Sequence, residues 1–125
     1  MGPERPVAIV VEDEPEIRAY ATRALQEHGW TIYGAGSGEE VFWLVEEHHD
    51  AELLITDVNM PLLDGLRLAQ MVRHLRPHIK VLYLTGYGDR VFATRASLPD
   101  NESFLTKPFS VTGLVEAASL LVHDA

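Results

Sequence analysis

Cysteine is absent from this chain of 125 residues, so disulfide bonds, thiolate metal sites and a catalytic thiol are all excluded. A domain of this length can bury an adequate hydrophobic core without such cross-links. Their absence is compatible with a reducing compartment, and we expect a cytoplasmic protein. The chain also lacks an apolar run of the roughly 20 residues that a membrane helix needs, and residues 1–6 lack the apolar stretch of a signal peptide.

Basic residues are scarce as well. Ten Lys and Arg stand against nineteen Asp and Glu, which gives a net charge of −9. A charge of this sign repels a phosphate backbone, which argues against direct nucleic-acid binding through a basic face. The apolar share of 46% and the charged share of 23% are typical of a globular protein. We expect residues 1–125 to form one domain, without a linker or an output domain.

Strand-like and helix-like segments alternate along the chain, which predicts an α/β fold with a parallel sheet covered by helices on both faces. Each predicted strand is a short apolar run, whereas each predicted helix carries an apolar stripe at helical spacing. The total is five βα units. The predicted strands are residues 7–11, 31–35, 53–56, 80–85 and 103–106.

Capping signals mark the starts of the predicted helices. Pro15 suits the first turn of the first helix, and Ser37 with Glu40 forms a capping box for the second. The third helix follows Asp64-Gly65, and the last begins at about Ser110. Between the fourth and fifth strands, residues 89–97 predict only a short helix, because Pro99 interrupts the pattern.

Polar side chains stand where the predicted strands end. Glu12 and Asp13 follow the first strand and Asp57 follows the third. Thr85 ends the fourth strand and Lys107 follows the fifth. Because open α/β sheets bind ligands outside the carboxyl ends of their strands, we expect these five side chains to lie at one edge.

The chemistry of this set favours phosphoryl transfer to an aspartate. Three neighbouring carboxylates repel each other, so they need a cation or raised pKa values. Oxygen ligands of this kind suit Mg²⁺, and the chain offers neither thiolates nor a clear histidine pair for zinc or copper. Asp57 can act as the nucleophile toward phosphorus, while Mg²⁺, Lys107 and the Thr85 hydroxyl neutralise the phosphoryl oxygens.

These motifs resemble those of the receiver domains of two-component response regulators, and the resemblance covers essentially the whole chain. It implies a flavodoxin-like (βα)5 doubly wound sheet with strand order 2-1-3-4-5. The motifs that carry it stand in the family's order at successive strand ends: Glu12-Asp13, Asp57 in Thr-Asp-Val-Asn-Met-Pro, Asp64-Gly65, Thr85-Gly86 and Lys107-Pro108-Phe109.

The resemblance also implies a role for each matching residue. Asp57 is the expected phosphoacceptor, charged by a histidine kinase or a histidine phosphotransfer protein. Mg²⁺ is the expected cofactor: Asp13 and Asp57 supply carboxylate oxygens, Asn59 supplies its backbone carbonyl, and Glu12 acts through a bound water. Glu12 stands where aspartate is commoner in the family.

Further expectations concern the phosphoryl group and the output of the switch. Thr85 and Lys107 are expected to contact the phosphoryl oxygens, and Gly86 to leave room for the group. The Lys107-Pro108 bond is expected to be cis. Phe104 matches the switch aromatic, which turns inward as Thr85 moves. The output is then a shift of residues 89–97, the last strand and the last helix.

Two other functions stay open at this point. An aspartyl-nucleophile phosphohydrolase usually carries a second acid two residues after the nucleophile, and this chain has Asn59 there. An interaction module that signals without phosphorylation is expected to lose Asp57 or Lys107, and both are present. Beyond the domain's own phosphorylation and dephosphorylation, we expect no enzymatic activity. The downstream protein partner stays open, and a homodimer is one alternative.

Three further features have competing interpretations. The run Gly34-Ala35-Gly36-Ser37-Gly38 looks like a phosphate cradle, but it follows the second strand and misses the dinucleotide spacing, so we interpret it as a loop before a capped helix. Trp43 either projects outward as part of a partner surface or packs on its own helix. His48-His49 is interpreted as a solvent-facing pair rather than a metal site.

Overall fold

The structure is a computed structural model that describes residues 5–60, 64–86 and 98–123. Five strands and four helices lie in this part of the chain, and their bounds agree closely with the sequence prediction. In chain order they are β1 (Val7–Val11), α1 (Pro15–Gln26), β2 (Thr31–Ala35), α2 (Gly38–Glu47), β3 (Leu53–Asp57), α3 (Gly65–Leu75), β4 (Lys80–Thr85), β5 (Glu102–Thr106) and α4 (Val111–His123).

The strands form one parallel sheet, as the sequence pattern predicted, in the order β2-β1-β3-β4-β5 that the family resemblance implied. Parallel strands need crossover connections, and such connections carry helices onto both faces of the sheet. β1 and β3 are buried along their whole length, in keeping with their continuous apolar runs. Since all strands are parallel, their carboxyl ends lie at the same edge.

Each face of the sheet has its own hydrophobic core. One core packs α2 and α3 against alternate residues of the strands, including Ile9, Leu54 and Tyr83. The other core packs α1 and α4 against the opposite residues, including Val10, Ile55 and Leu82. The alternation follows from the two-residue period of a strand, which sends successive side chains to opposite faces.

The helix starts are capped much as the sequence predicted. Pro15 occupies the first turn of α1. Ser37 Oγ accepts a hydrogen bond from the Glu40 amide at 3.4 Å, but the Glu40 carboxylate accepts from the Gly36 amide at 2.8 Å. The second hydrogen bond of the capping box is therefore donated by Gly36, the residue before the N-cap Ser37. Asp64 caps α3 by accepting from the Arg67 amide at 2.8 Å.

Small differences from the predicted bounds have local causes. α1 ends at Gln26, and Gly29 follows in the left-handed region at φ 92°, so the chain turns before Trp30. β5 begins at Glu102, one residue earlier than predicted, because the backbone of Glu102 already pairs with Val81. The helix predicted over residues 89–97 lies outside the described residues. Within the described ranges, every helix is too short or too polar to cross a membrane.

Candidate functional site at the carboxyl edge of the sheet

Asp57 ends the buried strand β3, and its side chain is held from two sides. Oδ1 accepts a hydrogen bond from the Asn59 amide at 2.9 Å, and Oδ2 accepts from Lys107 Nζ at 2.7 Å. The residue is 5% exposed. A carboxylate in this position is shielded from bulk water yet stands at the open edge of the sheet.

Lys107 joins the ends of β1, β3 and β5. Its Nζ donates to Glu12 Oε1 at 2.8 Å as well as to Asp57. The Lys107 amide also donates to the Thr85 carbonyl at 2.7 Å, which fixes the backbone beside the end of β4. Charge-assisted hydrogen bonds of this length are the stronger kind. Lys107 therefore partly neutralises two carboxylates that would otherwise repel each other.

Glu12 is the most deeply buried of the acids, with no exposed surface. Its Oε2 accepts a hydrogen bond from the Glu14 amide at 3.2 Å. Burial raises the pKa of Glu12 from 4.5 to about 7, although hydrogen bonds from Lys107 and Glu14 oppose the shift. Burial alone would lower the pKa of Lys107, but its hydrogen bonds to Asp57 and Glu12 outweigh that effect and raise this pKa.

Asp13 completes the acidic cluster, with more solvent exposure than the other two acids. One ligand oxygen from each of Glu12, Asp13 and Asp57 can be chosen so that all three lie within 4.8 Å of one another. The donors are all carboxylate oxygens, which suit a hard cation such as Mg²⁺ and not a soft metal. The residues present therefore fit the metal that the sequence predicted.

The other predicted site residues lie close by along the chain. Asn59 is exposed just beyond β3, and its amide already binds Asp57. Thr85 is 4% exposed at the end of β4, one register position beyond the residue paired with Asp57. Phe104 is partly buried in β5 and packs against the core on the α2 and α3 side. The Lys107-Pro108 bond is cis, as expected.

Two glycines near the site differ in whether a larger residue would fit in their place. A Cβ at Gly65 would lie 2.1 Å from the Asp57 carbonyl oxygen, and the Gly65 amide donates to Val58 at 2.9 Å. Only glycine lets the start of α3 approach the Asp57 backbone this closely. A Cβ at Gly86 would meet no heavy atom within 4 Å among the described residues, so crowding there does not demand glycine.

Several partners of these residues were not predicted from the sequence. Arg18 in α1 donates from Nη1 to the Glu12 carbonyl at 2.8 Å. Farther from the site, Arg73 of α3 pairs with Glu102 of β5 at 2.6 Å, and Glu102 is also hydrogen-bonded to the buried Tyr83. Burial and the Glu102 charge raise the pKa of Tyr83. These contacts join side chains distant in sequence, and a one-dimensional pattern carries no signal for them.

The structure shows the surroundings of Trp43, His48 and His49. Trp43 is 62% exposed on α2, so it projects outward. His48 is not simply solvent-facing, because its ring stacks on Tyr33 with 3.6 Å between ring centroids. His49 lies 3.3 Å from Arg76, whose guanidinium also donates to backbone carbonyls at the end of α2.

A groove of about 530 Å³ lies beside the site and is mostly apolar. Tyr20 and Phe109 form part of its wall, with their ring centroids 5.7 Å apart. Lys107 lines the same groove, so the groove reaches the cation that binds Asp57. The remaining lining residues are Glu16, Ile17 and Pro108.

Comparisons with known proteins agree with this geometry. The family model described as "Response regulator receiver domain" matches residues 8–119. The sensor kinase CckA of Brucella abortus is 36% identical over 107 residues, which cover 85% of this chain but only 11% of CckA. The response regulator receiver protein CpdR of the same organism is 27% identical, with 86% of this chain and 88% of CpdR covered.

Among solved structures, a response regulator receiver domain protein from Clostridium thermocellum superposes with a TM-score of 0.83. It covers 95% of each chain at 24% sequence identity. At that identity the likeness establishes the fold, while the match to the family model establishes the family.

Proposed function

Since the chain belongs to the response regulator receiver domain family, we propose that it is a phosphoacceptor switch in a two-component phosphorelay. A histidine kinase or histidine phosphotransfer protein is the donor, and Asp57 is the acceptor. The observation that carries the proposal is Lys107 Nζ lying 2.7 Å from Asp57 and 2.8 Å from Glu12 at the carboxyl edge of the sheet.

Mg²⁺ is the proposed cofactor, with ligands drawn from the acidic cluster. The carboxylates of Asp13 and Asp57 and the backbone carbonyl of Asn59 would hold it, while Glu12 would act through a bound water. The oxygen-only donor set supports this assignment. The bound ion supplies positive charge against the phosphoryl oxygens during transfer.

The chain's own residues carry the rest of the proposed reaction. An Asp57 carboxylate oxygen forms the bond to phosphorus while the bond from phosphorus to the donor histidine nitrogen breaks, and that nitrogen keeps the electron pair. Lys107 already binds Asp57 and needs only a small movement to bind a phosphoryl oxygen. The Thr85 hydroxyl is the proposed second donor to that group. Water later cleaves the acyl phosphate, so the protein turns over only its own side chain.

The proposed output follows from the positions of Thr85 and Phe104. Thr85 ends β4, and Phe104 lies in the neighbouring edge strand β5. A shift of Thr85 toward a phosphoryl group would free space on that face, and the partly buried Phe104 can turn into it. Residues 89–97 complete the proposed output face but lie outside the described residues.

The chain spans 11% of CckA and 88% of CpdR, so relatives include both a long sensor kinase and a protein of similar size. The proposal covers one receiver domain acting in the cytoplasm on protein partners. Direct nucleic-acid binding is not part of it, given the net charge of −9.

Intact-mass spectrometry tests the chemistry directly. The protein is incubated with acetyl phosphate and Mg²⁺ and quenched at times from seconds to minutes. We expect one added phosphoryl group that requires Mg²⁺ and is lost in Asp57→Asn. Asp64→Asn is the matched control, because Asp64 is an exposed carboxylate seven residues away that caps α3.

The alternatives give different results in the same experiment. No adduct at any quench time would favour an interaction module that signals without phosphorylation. Sustained release of phosphate from small esters, far beyond one equivalent of protein, would favour a phosphohydrolase. An adduct that survives in Asp57→Asn but not in another carboxylate variant would move the acceptor away from Asp57.

A further inference from the structure

The side chain of Arg18 packs against Gly34 in β2 and against Gly36, which follows that strand. A Cβ at Gly34 would lie 3.6 Å from Cδ and 3.7 Å from Cγ of Arg18, which is ordinary van der Waals contact. A Cβ at Gly36 would lie 2.8 Å from Nη1, too close for the guanidinium to stay in place. The absence of a side chain at Gly36 therefore leaves the space that the guanidinium occupies.

In this position the guanidinium of Arg18 reaches the backbone of the segment that carries Glu12 and Asp13. Nη1 of Arg18 donates to the Glu12 carbonyl at 2.8 Å, and the Glu12 amide donates to the Ala35 carbonyl at 3.1 Å. The Glu12 backbone is thus held through both its N–H and its C=O. Because a peptide group is planar, the carbonyl bond also orients the amide of Asp13, and with it the point where the Asp13 side chain departs.

We propose that Arg18 is a positioning residue that orients Glu12 and Asp13 for binding Mg²⁺, and that Gly36 is required because it gives the guanidinium room. The inference rests on the proposed function, since it assumes that the acidic cluster binds Mg²⁺. In this proposal the glycine run at residues 34–38 makes room for Arg18 and does not form a phosphate cradle.

Two substitutions remove the same contact by different routes. Arg18→Met keeps an unbranched apolar side chain against Gly34 but removes the hydrogen-bond donor. Gly36→Ala leaves Arg18 in the sequence but places a methyl group where Nη1 lies. The guanidinium is the end of a flexible side chain and can swing away, so the fold should survive this change. Gly34→Ala is the matched control, because its methyl group only touches Arg18.

Calorimetric titration with Mg²⁺ measures the first readout. Loss of a residue that orients metal ligands typically weakens metal binding about tenfold or more, so we expect about that loss in Arg18→Met and in Gly36→Ala but less than about twofold in Gly34→Ala. The double variant Arg18→Met/Gly36→Ala should bind no more weakly than either single variant, since both remove one interaction.

Amide hydrogen exchange without Mg²⁺ gives a second readout that does not need the metal. The amides of Glu12 and Glu14 should lose protection in Arg18→Met and Gly36→Ala, while β3 and β4 keep theirs. Unchanged exchange at both amides overturns the inference whatever the metal result. Wild-type protein that binds no Mg²⁺ contradicts the metal assignment in the proposed function instead, and the exchange result then still decides whether Arg18 orients the loop.

Discussion

At the scale of single residues, the site contains buried carboxyl groups, and their burial conflicts with their negative charge. Glu12 has no exposed surface but keeps a carboxylate, and Asp57 is nearly as buried. Lys107 lies between them and reduces that conflict with two short hydrogen bonds. Burial disfavours the charged form of a carboxyl group, and it raises the pKa of Glu12 to about 7 although Lys107 opposes the shift.

The raised pKa of Glu12 predicts a particular pH dependence of stability in Mg²⁺-free protein. The folded state holds a proton on Glu12 up to about pH 7, whereas the unfolded state releases it near 4.5. The folded state therefore binds more protons between these values, and stability falls as the pH rises through them. Burial is the largest cause of the raised pKa of Glu12; the negative charge of Asp57 adds to it, while Lys107 and the Glu14 amide oppose it.

Glu12→Gln isolates this effect, because glutamine stays neutral. Urea unfolding in a chelator, from pH 4.5 to 8, should show the stability of wild type decreasing relative to Glu12→Gln as the pH rises. Asp50→Asn, in an exposed loop, controls for general charge effects. A difference between wild type and Glu12→Gln that is constant with pH would contradict the raised pKa.

At the scale of elements, α3, β4 and β5 are joined to one another by polar contacts as well as by apolar packing. The pair of Arg73 and Glu102 joins α3 to β5 at 2.6 Å, and Tyr83 of β4 binds the same carboxylate. Arg73 also donates to the Ile79 carbonyl at 3.1 Å. These bonds join the edge strand that carries Phe104 to α3, the helix that follows the strand ending in Asp57.

A double-mutant cycle should show that the Arg73 and Glu102 side chains are coupled. Arg73→Met, Glu102→Gln and the double variant are compared by urea unfolding at neutral pH. Both side chains are largely buried and the pair is short, so we expect a coupling free energy of about 1–2 kcal/mol, above that of an exposed pair. Additive effects would mean that the two side chains contribute to stability independently.

At the scale of the whole molecule, the sheet brings together polar side chains from distant parts of the chain. Lys107 and Glu12 are separated by 95 residues in sequence and Lys107 and Asp57 by 50, yet all three meet at one edge. The protein also carries a net charge of −9, and three of its acids lie within one small cluster. Cation binding at this edge should therefore stabilise the entire fold.

We expect Mg²⁺ to raise the melting temperature more than NaCl does at equal ionic strength. At a free concentration ten times the dissociation constant, binding to the folded state alone contributes about 1.4 kcal/mol. For a domain of this size that corresponds to a shift of about 5 °C. Asp57→Asn should lose most of the shift, whereas Asp64→Asn should keep it. Equal effects of the two salts would indicate screening without a specific site.

The sequence by itself determined the element order, the parallel sheet and the set of polar residues at the strand ends. It could do so because apolar periodicity, caps and strand-end polarity are local patterns that survive in one dimension. The start of β5 and the stacking of His48 on Tyr33 depended on neighbours, so the first was shifted by one residue and the second was missed.

Only the tertiary structure decided how the site residues bind one another. Lys107 binds two acids at the ends of other strands, and Arg18 packs against Gly34 and Gly36. Gly65 lies close to the Asp57 backbone. All three contacts depend on distances between residues at the edge of the sheet. Contacts of this kind follow from packing in three dimensions, because they join segments with no shared local pattern. The residue types predicted the chemistry, and the fold decided which atoms meet.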